Sequence, residues 1–282
     1  YRDEFEVPSG FTQDRVFLNF DGINWKANVY VNGKQAGRIE GAFIRGKFDV
    51  TDLIVPGKNV VAVEIIKNQH IGAIKEKNVQ STDFNGGILG ADNPTFHATI
   101  GWDWIPTMRG RNIGIWNDVF LTTTGKVTVA DPLVQTVLPL PDTTSAKLTA
   151  EVIVKNHDAN AVKGTLEGKI GDITFQQPVE LAAGEEKAVV FDAKDFPQLN
   201  VQNPRLWWPK GYGEPNLYDA NFTFKIDDKV SDAKDFKVGI RQMTFNEDNQ
   251  ILSLFVNGRR FIGRGGNWGF SESNLNYRAS EY

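Results

Sequence analysis

Val31-Asn32-Gly33-Lys34 constrains the fold of this chain more tightly than any other four residues. A two-residue hairpin turn of type I′ needs positive φ at both central positions, and Asn-Gly is the pair that accepts this most readily. The runs on either side alternate apolar and polar residues, as in Trp25 to Val31, so the turn sets the register of a β-hairpin. Tyr1 to Val7 and Arg15 to Phe20 also read as strands, the second with Val16, Leu18 and Phe20 on one face. Phe48 to Val50, a turn at Thr51–Ile54, a Pro56-Gly57 break and Val60 to Ile66 add two more. Short alternating strands at this spacing predict an antiparallel β-sandwich.

A boundary is expected near Gly125, and beyond it the alternation resumes. Val127–Val137, Lys147–Lys155, Thr165–Ile170, Lys187–Phe191, Leu217–Ile226 and Lys234–Val238 are separated by turn residues. They predict a second sandwich about as long as an immunoglobulin-like domain. Gly239-Ile240-Arg241 closes it. A second Asn-Gly turn, Asn257-Gly258, then joins Ile251–Val256 to Arg260–Ile262, with Asn246 and Glu247 in a polar connector before the hairpin. Asn221-Phe222-Thr223 is a glycosylation sequon in form, but it falls within a strand.

With 282 residues, 40% of them hydrophobic, the chain can build two ordinary cores. It needs no disulfide staple and contains no cysteine. A net charge of -4 gives no basic footprint, so nucleic acid is not an expected partner. No run is long or apolar enough to span a bilayer as a helix. No signal peptide opens the sequence, and since Tyr1 to Val7 already alternates, the chain reads as starting inside a domain. Neither His70 nor His97 has a partner at metal-ligand spacing, and no cofactor is expected.

Gly101 to Leu121 carries three of the seven tryptophans, at 102, 104 and 116, beside Asp103, Arg109, Arg111 and Asp118. Pro106, Gly110 and Gly114 punctuate its middle as a loop, and Trp116 to Leu121 reads as a strand returning to a core. Aromatic faces beside charged hydrogen-bonding groups suit a sugar, while large apolar side chains in a sandwich are also core material. The stretch before it, Asn68 to Thr99, is rich in Gly and Asn and lacks periodicity. Loops of that length are either functional or disordered.

Gly101-Trp102-Asp103-Trp104 followed by Arg111-Asn112-x-Gly114-Ile115-Trp116-x-Asp118-Val119 resembles the end of the sugar-binding domain of family-two glycoside hydrolases. The Trp-Asp-Trp element points to the branch of β-mannosidases and exo-β-glucosaminidases; the Gly-Ile-Trp-x-Asp-Val element is shared with β-galactosidases and β-glucuronidases. Asp21-Gly22-Ile23-Asn24-Trp25 with Val31-Asn32-Gly33, and Leu206-Trp207-Trp208-Pro209-x-Gly211-Tyr212-Gly213, also resemble that family. The resemblance implies a mainly β chain: a jelly-roll sugar-binding domain over 1–125, its N-terminal part missing, and an immunoglobulin-like domain over 126–238. Residues 239–282 would then hold a hairpin and the start of a (β/α)₈ barrel. Gly263 to Gly269 would be the first barrel strand and Leu275 to Tyr282 would begin the first helix.

It further implies an oligosaccharide or glycan substrate and a downstream barrel as partner. The setting it favours is bacterial periplasmic or secreted. Asp103 would accept hydrogen bonds from sugar hydroxyls, Trp104 and Trp102 would offer apolar walls, and Asn267 and Trp268 would line the pocket from the barrel side. Arg111 and Asn112 would position the loop, and Asp118 would be structural. Trp207-Trp208 would pack between domains rather than serve as a sugar platform. Retaining glycosidases work with two carboxylates about 5 to 5.5 Å apart. In the family both are glutamates on later barrel strands, so this chain is expected to hold neither. Asn246-Glu247 imitates the family's Asn-Glu dipeptide but stands in the wrong place. A free-standing carbohydrate-binding module and a galactose- or glucuronate-specific enzyme are the alternatives.

Overall fold

A computed structural model describes residues 1–8, 10–11, 14–41, 43–67, 113–248 and 250–266. Its backbone divides into two compact units between Thr123 and Thr124.

In the first unit, β1 (Arg2–Val7), β2 (Arg15–Phe20), β3 (Ile23–Asn24), β4 (Lys26–Val31), β5 (Lys34–Glu40), β6 (Gly46–Asp49) and β7 (Gly57–Ile65) precede β8 (Gly114–Ile115) and β9 (Val119–Thr124). They form antiparallel sheets ordered β1-β7-β4-β5 and β6-β2-β9, and a short β3-β8 pair. The core between them holds Val16, Leu18 and Phe20 of β2, with Ala27, Val29 and Val31 of β4. Those are the alternating positions of both strands, as a one-sided sheet requires. Asn32 and Gly33 take φ 50 and 79, which makes the expected turn. The Asn32 side chain also holds its neighbour: Nδ2 donates to Leu53 O at 2.8 Å, and Oδ1 accepts from Val60 N–H at 2.8 Å.

The second unit contains β10 (Val127–Val137), β11 (Ser145–Asn156), β12 (Val162–Ile170), β13 (Ile173–Leu181), β14 (Glu186–Asp192), β15 (Asn200–Gln202), β16 (Tyr218–Ile226) and β17 (Lys229–Val238). One sheet runs β10-β11-β14, with β15 also on β11, and the other β13-β12-β16-β17. Between them Phe191 stacks on Phe222 at 6.1 Å and meets Phe175 at 4.7 Å. β10 is an edge strand, and three amides along this margin are occupied by side chains. Val127 donates to Ser231 Oγ and Val129 to Asp232 Oδ2, both at 2.9 Å, and Leu138 to Gln242 Oε1 at 2.6 Å.

β18 (Met243–Asp248), β19 (Ile251–Val256) and β20 (Arg259–Phe261) form a separate three-stranded sheet. This corrects the reading of Asn246 and Glu247 as connector. Both lie on β18, opposite Ser253 and Leu252, because Met243 and Phe245 alternate with polar residues and pair with β19. The Asn257-Gly258 turn docks on the sandwich, with Asn257 Nδ2 donating to Trp207 O at 3.0 Å. β13 was absent from the sequence reading, since Gln176, Gln177 and Pro178 break its apolar pattern. Proline is tolerated there because β13 is at a sheet edge. Gly263 to Gly266 are not in a strand. The expected helix from Leu275 lies outside the described residues.

Asp158 carries a sharply perturbed carboxyl. The Lys126 ammonium, 2.9 Å away, and the Asn160 N–H lower it from 3.8 to about 2. A lowered folded-state value contributes stability that is complete above the unfolded value and fades as pH falls through the folded one. Acid unfolding should therefore show Asp158→Asn less stable than the parent at neutral pH, with the two curves converging between about pH 4 and pH 2. Curves separated by the same amount at every pH would refute this.

Candidate functional site

Asp21 to Trp25 and Gly114 to Asp118 lie side by side in the first unit. Asp21 N–H donates to Asp118 O at 2.9 Å, and Trp116 N–H to Gly22 O at 3.1 Å. Between them Ile23 pairs with Ile115 and Asn24 with Gly114. Glycine is required at two of these positions. A Cβ on Gly22 would sit 2.4 Å from Cε2 of the Trp116 indole, so that ring rests on bare backbone. Gly114 takes φ +146, and a Cβ there would meet the Tyr1 hydroxyl at 2.7 Å.

The chain leaves this rim close to where it returns. Ile65 pairs with Ala27 and Ile66 N–H donates to Lys26 O at 2.9 Å, whereas Gly114 pairs with Asn24. The attachment points of residues 68–112 are therefore two residues apart along one short stretch. A long segment with adjacent ends is a frequent carrier of function on a rigid scaffold.

The same rim has aromatic and charged groups. Trp25 and Trp116 are both half-buried. Lys26 Nζ stands 4.1 Å over the Trp25 ring and 2.8 Å from Glu40. The hydrogen bond from Lys26 holds the Glu40 carboxyl below the usual carboxylate range. Arg45 Nε is 3.2 Å from Asp21 Oδ1. Half-exposed indoles beside oriented charges can stack on and hydrogen-bond a polyol. Trp25 and Arg45 were not singled out as site residues from sequence, although the Asp-Gly-Ile-Asn-Trp match already contained Trp25.

Trp102, Asp103, Trp104, Arg111, Asn112, Asn267 and Trp268 all lie outside the described residues. Asp118 is exposed at the rim, and its N–H donates to Asn117 Oδ1 at 2.9 Å. Trp207 and Trp208 have structural surroundings: Arg241 lies 4.3 Å over the first ring and Arg259 5.0 Å over the second. Glu247 is exposed on β18, with no role at this rim.

Residues 1–117 match the glycosyl hydrolase 2 galactose-binding domain-like family, and residues 127–241 match glycosyl hydrolases family 2. The chain is 34% identical over 274 residues to exo-β-D-glucosaminidase of Streptomyces avermitilis, covering 95% of this chain and 27% of that protein. It is 34% identical over 280 residues to mannosylglycoprotein endo-β-mannosidase of Lilium longiflorum, covering 95% and 28%. A complex of the Amycolatopsis orientalis exo-chitosanase with PNP-β-D-glucosamine superposes with a TM-score of 0.75 at 29% identity, over 95% of this chain and 28% of that one. The likeness to a Bacteroides uniformis β-glucuronidase, with a TM-score of 0.65 at 21% identity, is one of fold. The chain thus spans little more than a quarter of the length of the relatives it matches.

Proposed function

Because the chain belongs to glycosyl hydrolase family 2, we propose that it is the non-catalytic N-terminal part of a retaining β-glycosidase. Its substrates are β-linked glucosamine or mannose residues of an oligosaccharide or glycan. The observation that carries this reading is the identity of 34% to a glucosaminidase and to a mannosidase alike, extending over 95% of the chain.

In this proposal the first domain supplies one wall of a pocket whose chemistry belongs to a downstream barrel. Asp103 accepts hydrogen bonds from sugar hydroxyls, Trp104 and Trp102 provide apolar faces, and Arg111 and Asn112 hold the loop in place. Asn267 and Trp268 face them from the barrel side, where two glutamates act as acid/base and nucleophile. Support comes from the neighbouring attachments at Lys26 and Asn24, which tie a segment containing Asp103 to the aromatic rim. The Asp103 carboxylate suits this role because a hydrogen bond to a charged group contributes about 1.5–3 kcal/mol.

Kinetics on the longer protein test the assignment. Asp103→Ala should lower kcat/KM on a β-glucosaminide or β-mannoside by about 10- to 100-fold. Unchanged kinetics would remove Asp103 from the site. A preference for β-galactosides or β-glucuronides would favour the other branch of the family.

A further inference from the structure

The margin of β10 is closed at both ends and open between them. The amides of Val127 and Val129 are held by Ser231 and Asp232, and that of Leu138 by Gln242. Backbone groups along a strand point alternately to one side and the other. Ala130 faces Ile153 whereas Leu133 faces Glu151, so a bulge adds a residue to β10 and shifts that alternation. Val134 and Thr136 therefore turn their N–H and C=O groups to the same margin as Leu138, while Leu133, Gln135 and Val137 turn theirs to β11. No described residue bonds the amides of Val134 and Thr136 there. An open groove of about 500 Å³, whose lining includes Leu133, Thr136, Phe236, Val238 and Met243, stands before them on the side of β17.

The open stretch also lacks the devices that usually guard an edge. Edge strands are commonly blunted by charged side chains, lysine above all, yet nothing between Asp131 and Asp142 is charged. Leu133 is 49% exposed and Val137 58%, with Gln135 exposed between them on the outer face. Free edge amides unguarded by charge mark a place where another strand adds to the sheet.

We propose that Leu133–Val137 pairs antiparallel with the same stretch of a second copy of this chain, about a two-fold axis through Gln135. The sequence is self-complementary in that register. Val134 meets Thr136 of the second copy as a hydrogen-bonded pair, which uses the free N–H and C=O groups of both. Leu133 meets Val137 of the second copy as a non-hydrogen-bonded pair, where side chains come closest, so each exposed apolar group covers the other. Gln135 meets its own symmetry mate. The next bonded position sets Pro132 against Leu138: proline has no N–H to offer, and the Leu138 amide is already held by Gln242. Pairing thus stops at both ends without stranding a donor. An axis through Val134 instead would set Leu133 against Gln135 and Thr136 against Pro132, losing both the apolar cover and a donor. Because the same patch is used on both copies, the contact closes on itself as a dimer and does not propagate.

Sedimentation equilibrium tests the dimer in the 282-residue chain and in the longer protein. The 31.5 kDa chain should show a mass that rises toward that of a dimer between micromolar and millimolar concentration. Gln135→Lys and Gln135→Glu each set like charges opposite one another across the axis, and each should weaken the dimer about tenfold or more. An equimolar mixture of the two variants should restore it, since opposite charges then face each other. Gln135→Cys gives a second readout, because the chain has no cysteine of its own. A non-hydrogen-bonded pair holds its Cα atoms about 4.5 Å apart, within the span of a disulfide, so oxidised glutathione should link two copies through position 135. Val190→Cys, exposed on β14 of the same sheet, should not link. A monomer at every concentration would overturn the proposal, as would a dimer indifferent to both charges or one that the mixture fails to restore. Equal linking at 135 and 190 would also overturn it. So would a dimer of the 282-residue chain that the longer protein lacks, because another part of that protein would then hold the margin. No sugar enters these readouts, so their outcome leaves the functional proposal untouched.

Discussion

Residues 1–282 alone should release no nitrophenol from PNP-β-D-glucosamine or the corresponding β-mannoside. Glycoside hydrolysis needs one group to protonate the leaving oxygen and a second about 5 to 5.5 Å away to attack the anomeric carbon. In the proposal made above, both are glutamates of a downstream barrel. Asp103 is a single carboxylate and cannot take both roles. Since enzymes accelerate such reactions by at least about 10⁶-fold, the difference from the longer protein should be total. Binding should be weak for a related reason. One wall of a pocket leaves most sugar hydroxyls hydrated, so calorimetry with glucosamine and mannose oligosaccharides should give Kd values of about millimolar or weaker. A free-standing binding module would behave differently: its preformed site would bind without any other domain. Tight binding by the 282-residue chain would overturn the reading of it as part of an enzyme, and measurable turnover would overturn the placement of the catalytic pair.

Gly22→Val should be the most damaging single change at the rim. The new Cβ would lie 2.4, 2.6 and 2.8 Å from three atoms of the Trp116 indole, closer than such atoms can approach. The backbone hydrogen bond from Trp116 N–H to Gly22 O holds the two segments together here, so the clash cannot be relieved by their moving apart. Expelling it combines overpacking with the lost burial of a large ring, so the first domain should lose about 3 kcal/mol. Chemical denaturation followed at the tryptophans would measure this. The longer protein should lose activity as well, because Trp116 and Gly114 hold the chain where it re-enters the sheet after residue 112. A variant with parental stability would show that the indole has another place to go.

These expectations draw unequally on sequence and on geometry. Strands with strict alternation, such as Lys26–Val31 and Ser145–Asn156, were legible because burial on one face imposes a period of two. The Asn32-Gly33 turn was legible because its backbone angles exclude most other pairs. β13 was not, since an edge strand tolerates Gln-Gln-Pro where a central one would not. Nor was β18, whose Asn-Glu-Asp end pairs with β19 through backbone bonds that any side chain permits. The closeness of Gly22 to Trp116 is a tertiary fact between residues 94 positions apart, which no local pattern encodes. Trp102, Asp103 and Trp104 were singled out through a family motif, a kind of information that periodicity does not contain.

The side chains along the rim of β10 have a consequence for the protein in concentrated solution. An exposed strand edge invites a foreign strand to add to it, the first step of fibril growth. Along this margin the amides of Val127 and Val129 on β10, and of Leu138 just beyond it, are already committed to Ser231, Asp232 and Gln242. At each of those positions an incoming chain would have to break an existing bond before gaining one of its own. Three short polar side chains thus act as a selvedge, finishing the weave of the sheet at the two ends of that margin.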